Sequence, residues 1–172
     1  VSHDHVCAKY RNNYRGNDNF ISSDCLPVDC DNDHSDSKRD WKTPADIQKA
    51  LPGVFFAVHY SRHNMRPKDG KSARPRFHLF FQIDPMTDYE AYVALKQLLH
   101  EIFPYLDANA LDAARFLYGT RDPRVEFHPG NKTLTDFLYG DEFDKDMPGG
   151  YESQATIPEG SRNTTMFRWA VR

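Results

Sequence analysis

Two apolar runs separated by a basic segment constrain the fold of this chain most. "VFFAVHYS" occupies residues 54–61 and "RFHLFFQI" occupies residues 76–83. Both runs are short and rich in β-branched and aromatic residues, which is typical of buried strands. The segment between them contains Pro67, Gly70 and Pro75, which interrupt regular structure. We therefore expect the two runs to be neighbouring antiparallel strands that this segment joins.

Helical patterns on either side of these strands predict an α+β protein. In residues 42–51, "KTPADIQKAL", Thr43 can cap a helix whose first residue is Pro44. Residues 87–103 are apolar at helical spacing. The members of this apolar face are Ala91, Leu95, Leu98, Leu99, Ile102 and Phe103. The resulting β–α–β–β–α–β order predicts a mixed sheet with flanking helices.

Shorter elements are predicted after the second helix. Residues 111–119, "LDAARFLYG", are expected to form a turn or short strand. Residues 125–130, "VEFHPG", and residues 135–140, "TDFLYG", are expected to form strands that end at Gly turns. The acidic segment 141–150 is expected to be a surface loop or linker.

Composition sets the class of protein and its compartment. The chain has 172 residues, of which 39% are hydrophobic, and this excludes global disorder. No apolar run is long enough to cross a bilayer, so we expect no membrane contact. The three Cys residues have no C-x-x-C spacing, and residues 1–10 carry no secretory signal pattern. A reduced, cytoplasmic setting is therefore expected.

Charge is segregated along the chain. The net charge of −3 argues against a uniformly basic surface for nucleic acid. Residues 62–76 nevertheless hold six basic residues and a single acid, Asp69. The basic members are Arg62, Arg66, Lys68, Lys71, Arg74 and Arg76. Such a segment suits contact with a phosphate backbone, and a solvated hairpin tip is the alternative.

Alternating acids follow the strand-like stretch "CLPVDC". In an extended chain Asp29 and Asp31 lie about 6.5–7 Å apart on one face, whereas Val28 and Cys30 face the core. Two such carboxylates repel each other unless a cation neutralises them. Mg²⁺ prefers oxygen ligands, and two ions about 3.5–4 Å apart, bridged by carboxylates, serve nucleotidyl transfer. A solvated acidic turn is the alternative.

Two other metal sites are weaker interpretations of the same stretch. Residues 29–40, "DCDNDHSDSKRD", place Asp at several calcium-ligand positions of an EF-hand loop. However, His34 stands where Gly is needed and Asp40 stands in place of Glu. Cys25, Cys30 and nearby His residues could bind zinc, but their spacing matches no ordinary site.

Further candidate residues lie later in the chain. Asp112 is a candidate for a third metal ligand, with a helix N-cap as the alternative. Arg76 and His78 share the face of their strand that points away from the core. This pair suits a triphosphate group, and a structural histidine is the alternative.

Three motifs in this order resemble those of the archaeo-eukaryotic primase superfamily, the primase–polymerases. They are "VDCDND", "RFH" and "LDAARFLYG", which correspond to the family's D-x-D or D-x-E, S-x-H and Asp motifs. "SRHNMRPKDGKSARPRFHLFF" is similar to versions from phages, plasmids and integrated elements of Gram-positive bacteria. The final "IPEGSRNTTMFRWAVR" is similar to the opening of a primase C-terminal helical domain. The chain departs from the pattern at Arg76, where the family has Ser.

The resemblance implies a fold and a division of the chain. Residues 1–155 would form a primase–polymerase catalytic core of the α+β class with an RRM-like module. Residues 156–172 would begin a C-terminal helical primase segment that is cut short. The implied activity is DNA-templated nucleotidyl transfer, as a primase or DNA polymerase, in replication of a mobile element, phage or plasmid.

The resemblance also implies roles for individual residues. The catalytic, metal-binding residues would be Asp29, Asp31 and Asp112, which hold two Mg²⁺ or Mn²⁺ ions. The nucleotide would be bound by His78, Arg76 and Arg115. Template or phosphate contacts would come from Arg15, Arg62, Lys71 and Arg74. The implied partners are a single-stranded or primed DNA template, NTPs or dNTPs, and a helicase domain or protein.

Two other functions remain open on the sequence. A non-catalytic replication initiator domain would bind nucleic acid without using the acids for chemistry. A metal-dependent nuclease would use the same acids to degrade DNA without added triphosphates.

Overall fold

An antiparallel sheet forms the centre of the molecule. The computed structural model describes residues 3–108 and 111–140. Its elements in chain order are β1 (Lys9–Tyr10), two 3₁₀ turns (Arg11–Asn13 and Asn17–Asn19), β2 (Phe20–Cys30), α1 (Pro44–Ala50), β3 (Phe56–Tyr60), β4 (Arg66–Lys68), β5 (Lys71–Arg74), β6 (Phe77–Met86), α2 (Tyr89–Ile102), β7 (Val125–His128) and α3 (Leu134–Tyr139). Five strands form the main sheet in the order β1–β2–β6–β3–β7, while β4 and β5 form a separate two-stranded sheet.

The inner strands form a split β-α-β arrangement. β2, α1 and β3 follow one another in the chain, and β6 lies between the two strands, antiparallel to both. The predicted antiparallel pairing of 54–61 with 76–83 is confirmed. The prediction of a mixed sheet is wrong, since every pairing between these named strands is antiparallel. β6 lies between β2 and β3, which run in the same direction, and so keeps them from pairing with each other.

The hydrophobic core lies against one face of the sheet, and the α+β class is confirmed. β6 contributes alternate side chains that are at most 2% exposed: Phe77, Leu79, Phe81 and Ile83. The helices add Ile47, Leu95, Leu99 and Leu134 to the same core. α1 begins as predicted, because Thr43 and Asp46 form a capping box and Pro44 is the first helical residue. In the described part of the chain no helix is both long and apolar enough to span a bilayer.

The last described element corrects a prediction. Residues 135–140 were expected to form a strand, but Leu134–Tyr139 form helix α3. Thr133 accepts a hydrogen bond from the backbone N–H of Asp136, whose carboxylate accepts one from the N–H of Thr133. Leu134 and Leu138, one helical turn apart, are buried together in the core. The capping box and this spacing favour a helix.

The basic segment folds back on itself. β4 and β5 form a hairpin, and we call residues 62–75 the basic hairpin. Its turn is Asp69-Gly70, and both residues have positive φ, 51° and 77°. This conformation suits a two-residue turn that follows the strand twist, and Asp-Gly is a favoured pair for it.

Two predicted segments lie outside the described residues. They are the expected linker at 141–150 and the expected C-terminal primase segment at 156–172.

Candidate functional site

The register between β2 and β6 places the predicted acids beside the predicted cations. Asp29 is the cross-strand partner of His78, and Cys30 is the partner of Phe77. Continuing this register places Asp31 opposite Arg76, and the Arg76 guanidinium lies 3.4 Å from the Asp31 carboxylate. Asp29 and Asp31 therefore lie side by side along β6, on the face of the sheet opposite the core.

Asp29 is a buried carboxylate held by two basic groups. It is 4% exposed, and one oxygen accepts a hydrogen bond of 2.6 Å from Nδ1 of His78. The other oxygen contacts the guanidinium of Arg115. Burial acts to raise the pKa of the Asp29 carboxyl, but the hydrogen bond and charge of His78, together with Arg115, outweigh it and lower the pKa. Asp29 is therefore an anion at neutral pH.

The basic hairpin, together with Arg76 directly after it, neutralises the acids that follow β2. We call residues 31–36 the acidic loop. Asp31 lies 3.2 Å from Lys68 and 3.4 Å from Arg76. Asp33 lies 3.0 Å from Arg76 and 3.4 Å from Lys71. The concentration of acids after β2 is thus balanced by cations of the same chain, which the antiparallel pairing of β2 with β6 brings alongside.

Arg74, which is buried, and Lys71, which is partly exposed, both contact the acidic loop. Arg74 is 0% exposed and donates hydrogen bonds to the carbonyl of Asn32 at 2.9 Å and the carboxylate of Asp36 at 2.8 Å. Its guanidinium also lies over the Trp41 ring. Lys71 donates to the carbonyl of Asp33 at 3.1 Å. Their placement differs from the expected template or phosphate contact, because these groups hold the acidic loop in place.

Arg76 is buried but incompletely hydrogen-bonded. It is 0% exposed, and none of its guanidinium nitrogens has a hydrogen-bond partner within the described residues. Its charge is balanced by Asp33 at 3.0 Å and Asp31 at 3.4 Å. A phosphate group can reach this guanidinium only if the acidic loop moves aside.

Asp112 is carried by a segment that packs beside Asp29. The backbone carbonyl of Asp112 accepts a 2.9 Å hydrogen bond from Nζ of Lys96, and Arg115, three residues later, contacts Asp29. Lys96 is fully buried on α2, and burial lowers its pKa to about 8 although the charge of Asp112 opposes this shift. The helical spacing of Lys96 from buried Tyr92 and Leu99 is the signal that could have revealed it.

The expected metal ligands are only partly brought together. Within residues 3–108 and 111–140, no group of three or more His, Cys, Asp or Glu side chains is placed to hold a metal ion. Asp112 therefore does not join Asp29 and Asp31 in such a group. Asp29 and Asp31 fit a hard divalent ion in the type of their donor atoms and in their shared face. In this structure the negative charges of Asp29 and Asp31 are balanced by basic side chains.

His59 is a buried residue that the sequence analysis missed. It is the cross-strand partner of His78, so Asp29, His78 and His59 form a row across three strands. His59 is 1% exposed, and neither ring nitrogen has a hydrogen-bond partner in the described structure. The ring of His5 lies 6.5 Å away. Alternation along 54–61 places His59 on the face opposite the apolar one. Only the register between β3 and β6 shows that it lies in a row with His78 and Asp29.

The environment of His59 predicts a loss of stability in acid. Burial, reinforced by the charges of His78 and His5, lowers its pKa from 6.5 to about 4. Between these values the unfolded chain binds a proton that the folded chain does not, so stability falls as the pH falls. We expect a loss of up to roughly 3 kcal/mol across this window. Urea unfolding at several pH values measures it.

The prediction is checked by comparing the slope of unfolding free energy against pH between the wild type and a variant. His59→Phe should flatten the slope between pH 6.5 and pH 4, whatever its effect on stability at neutral pH. Equal slopes for the wild type and His59→Phe would contradict the prediction.

Comparison of the chain with models of protein families, with curated proteins and with solved structures gives no match.

Proposed function

We propose that the chain is the catalytic core of a primase–polymerase that transfers nucleotides to a growing strand opposite a DNA template. The observation that carries the proposal is the pairing of β2 with β6, which places Asp29 beside His78 and brings Asp31, just after β2, beside Arg76, just before β6. The order of motifs along the chain supports the same family. The split β-α-β arrangement of β2, α1, β3 and β6 agrees with an RRM-like module.

In this proposal Asp29 and Asp31 hold Mg²⁺ or Mn²⁺, with Asp112 as the third carboxylate. When bound, two such ions favour deprotonation of the attacking hydroxyl and neutralise charge on the leaving pyrophosphate. The rest of the catalysis is positioning and electrostatic stabilisation by fixed side chains, without a covalent intermediate.

His78 and Arg115 are the groups best placed to meet a triphosphate. The bond from Nδ1 of His78 to Asp29 fixes the ring and leaves Nε2 to face a ligand. Arg115 is partly exposed, with 27% of its side chain accessible, so its guanidinium can contact both Asp29 and a phosphate. Arg76 would balance the charge of Asp31. It would contact a phosphate only after a shift of the acidic loop.

The proposed substrates are a single-stranded or primed DNA template and NTPs or dNTPs. We place the activity in the cytoplasm, in replication of a mobile element, phage or plasmid, together with a helicase.

A second function is favoured by one specific observation. Asp29 and Asp31 are each paired with two basic groups, so the cluster is neutralised without any added metal. A non-catalytic initiator domain that binds nucleic acid would use the same arrangement for structure alone.

The test combines nucleotide binding with synthesis. We expect Mn²⁺ to raise the affinity for a fluorescent nucleotide, because the metal neutralises charge between the phosphates and the acids. We also expect primer extension or de novo primer synthesis that EDTA abolishes. Duplex binding that is independent of metal and nucleotide, without synthesis, would favour the initiator. Degradation of DNA without triphosphates would favour a nuclease.

A further inference from the structure

Two aromatic side chains beside the site each have an arginine guanidinium over the ring. The guanidinium of Arg15 lies 5.3 Å from the centre of the Phe116 ring, and that of Arg62 lies 5.2 Å from the centre of the Tyr118 ring. The two rings contact each other edge to face at 5.2 Å. We call these four residues the aromatic strip. It is assembled from three separate parts of the chain.

Alternation around the bridge at Leu117 explains why the ring of Tyr118 is exposed, while Phe116 beside it is half-buried. Leu117 forms an antiparallel bridge with His5 and is 1% exposed, and Arg115 reaches inward to Asp29. The residues between and after them face the other way, so that Tyr118 is 57% exposed. The strip therefore begins one residue from the arginine that contacts Asp29.

The charges of the strip are available, unlike those of Lys71 and Arg74 in the basic hairpin. Lys71 and Arg74 are paired with the acidic loop. Arg15 and Arg62 are exposed, and neither forms an ion pair with an acid in the described part of the chain. Arg15 is positioned by a 2.8 Å hydrogen bond to the carbonyl of Ala114. Of the four expected phosphate contacts, Arg15 and Arg62 are therefore available, whereas Lys71 and Arg74 are paired with the acidic loop.

We infer that the aromatic strip binds single-stranded nucleic acid next to the acidic site. Bases would stack on Tyr118 and Phe116, and Arg15 and Arg62 would contact the phosphates on either side. Exposed aromatic rings flanked by unpaired cations bind single strands without sequence preference, because every base offers a flat face. This inference rests on the proposed function, since it assigns the path of the template strand.

The test measures binding of a labelled oligo(dT) of about ten nucleotides, within the usual site size, by fluorescence anisotropy. Tyr118→Ala is expected to weaken binding roughly tenfold, and Tyr118→Phe, which keeps the ring, to restore it. Joint replacement of Arg15 and Arg62 by Gln should make the salt dependence shallower by about 1.4 in log–log slope, roughly 0.7 per phosphate contact.

A matched control is Phe127→Ala. Phe127 is 71% exposed on β7, and neither a cation nor another ring contacts it among the described residues, so its loss should leave binding unchanged. Oligo(U) and a duplex of equal length distinguish DNA from RNA and single from double strands.

The outcomes separate this inference from the proposed function. Weaker binding by Tyr118→Ala supports the strip even if the chain synthesises nothing. Wild-type binding by both the Tyr118→Ala and the Arg15/Arg62 variants would overturn the strip even if synthesis occurs. Absence of single-strand binding by the wild type, or a preference for duplex that these variants do not alter, would overturn it as well.

Discussion

Replacement of Asp29 by Asn is expected to lower nucleotide incorporation on the order of 100-fold or more, the scale of loss for removing one group that stabilises charge at a reacting centre. Asn keeps the size of the side chain but lacks the negative charge that a divalent ion requires. The substitution also frees His78 and Arg115, which Asp29 now holds. Single-nucleotide primer extension in Mn²⁺ measures the effect.

Two further variants make this result specific. Asp31→Asn should reduce incorporation as well, because its carboxylate lies on the same face as that of Asp29. Asp69→Asn is the matched control, since this acid lies in the turn of the basic hairpin and its side chain is 83% exposed. It should retain incorporation within about twofold, as expected for an exposed surface substitution.

Stability must be measured in parallel, because removing one partner of a buried ion pair costs about 3–5 kcal/mol. Circular dichroism identifies a temperature at which each variant is folded. Undiminished synthesis by the folded Asp29→Asn variant would contradict the proposal that the chain is a polymerase.

Gly130→Ala is expected to destabilise the fold by roughly 3 kcal/mol or more, above the usual range for overpacking. A Cβ atom at this position would lie well inside van der Waals contact of the backbone of Gly53 and Val54. These are backbone atoms, and the carbonyl of Gly53 also accepts hydrogen bonds from the N–H groups of Asn131 and Lys132. The clash would therefore not be relieved by the movement of a flexible side chain.

Thermal unfolding tests this prediction. For a domain of this size the melting temperature should fall by roughly 6–12 °C. Gly16→Ala is the control, because Gly16 has extended backbone and its Cβ would meet only the Asn19 side chain at ordinary contact distance, 3.5 Å. Equal melting temperatures for the two variants would contradict the close approach of the two backbone segments.

Local patterns in the sequence predicted much of the fold. The alternation in 76–83 correctly separated the buried Phe77 from the outward His78, and the cap at Thr43 correctly began α1. These features depend on residues within a few positions of one another. The helix at α3 was missed although its capping box is also local, because short apolar stretches fit strand and helix equally well.

The candidate site was predicted only in part. Asp29, His78 and Arg115 were identified as candidates and lie in contact. Asp112 was identified too, but its segment meets the site through Arg115 and not through a shared group of acids. His59 was missed because its partner, His78, lies on another strand.

The sequence by itself determined which residues of the two charged segments are acidic or basic. It also determined on which face of each strand these side chains lie. What only the tertiary structure decided is where those charges go. Arg74 pairs with Asp36, and Lys68 with Asp31, because the antiparallel register of β2 and β6 brings distant segments together. A slip of one residue in that register would turn the site toward the core. Pairing across strands is therefore the physical step that no local pattern contains.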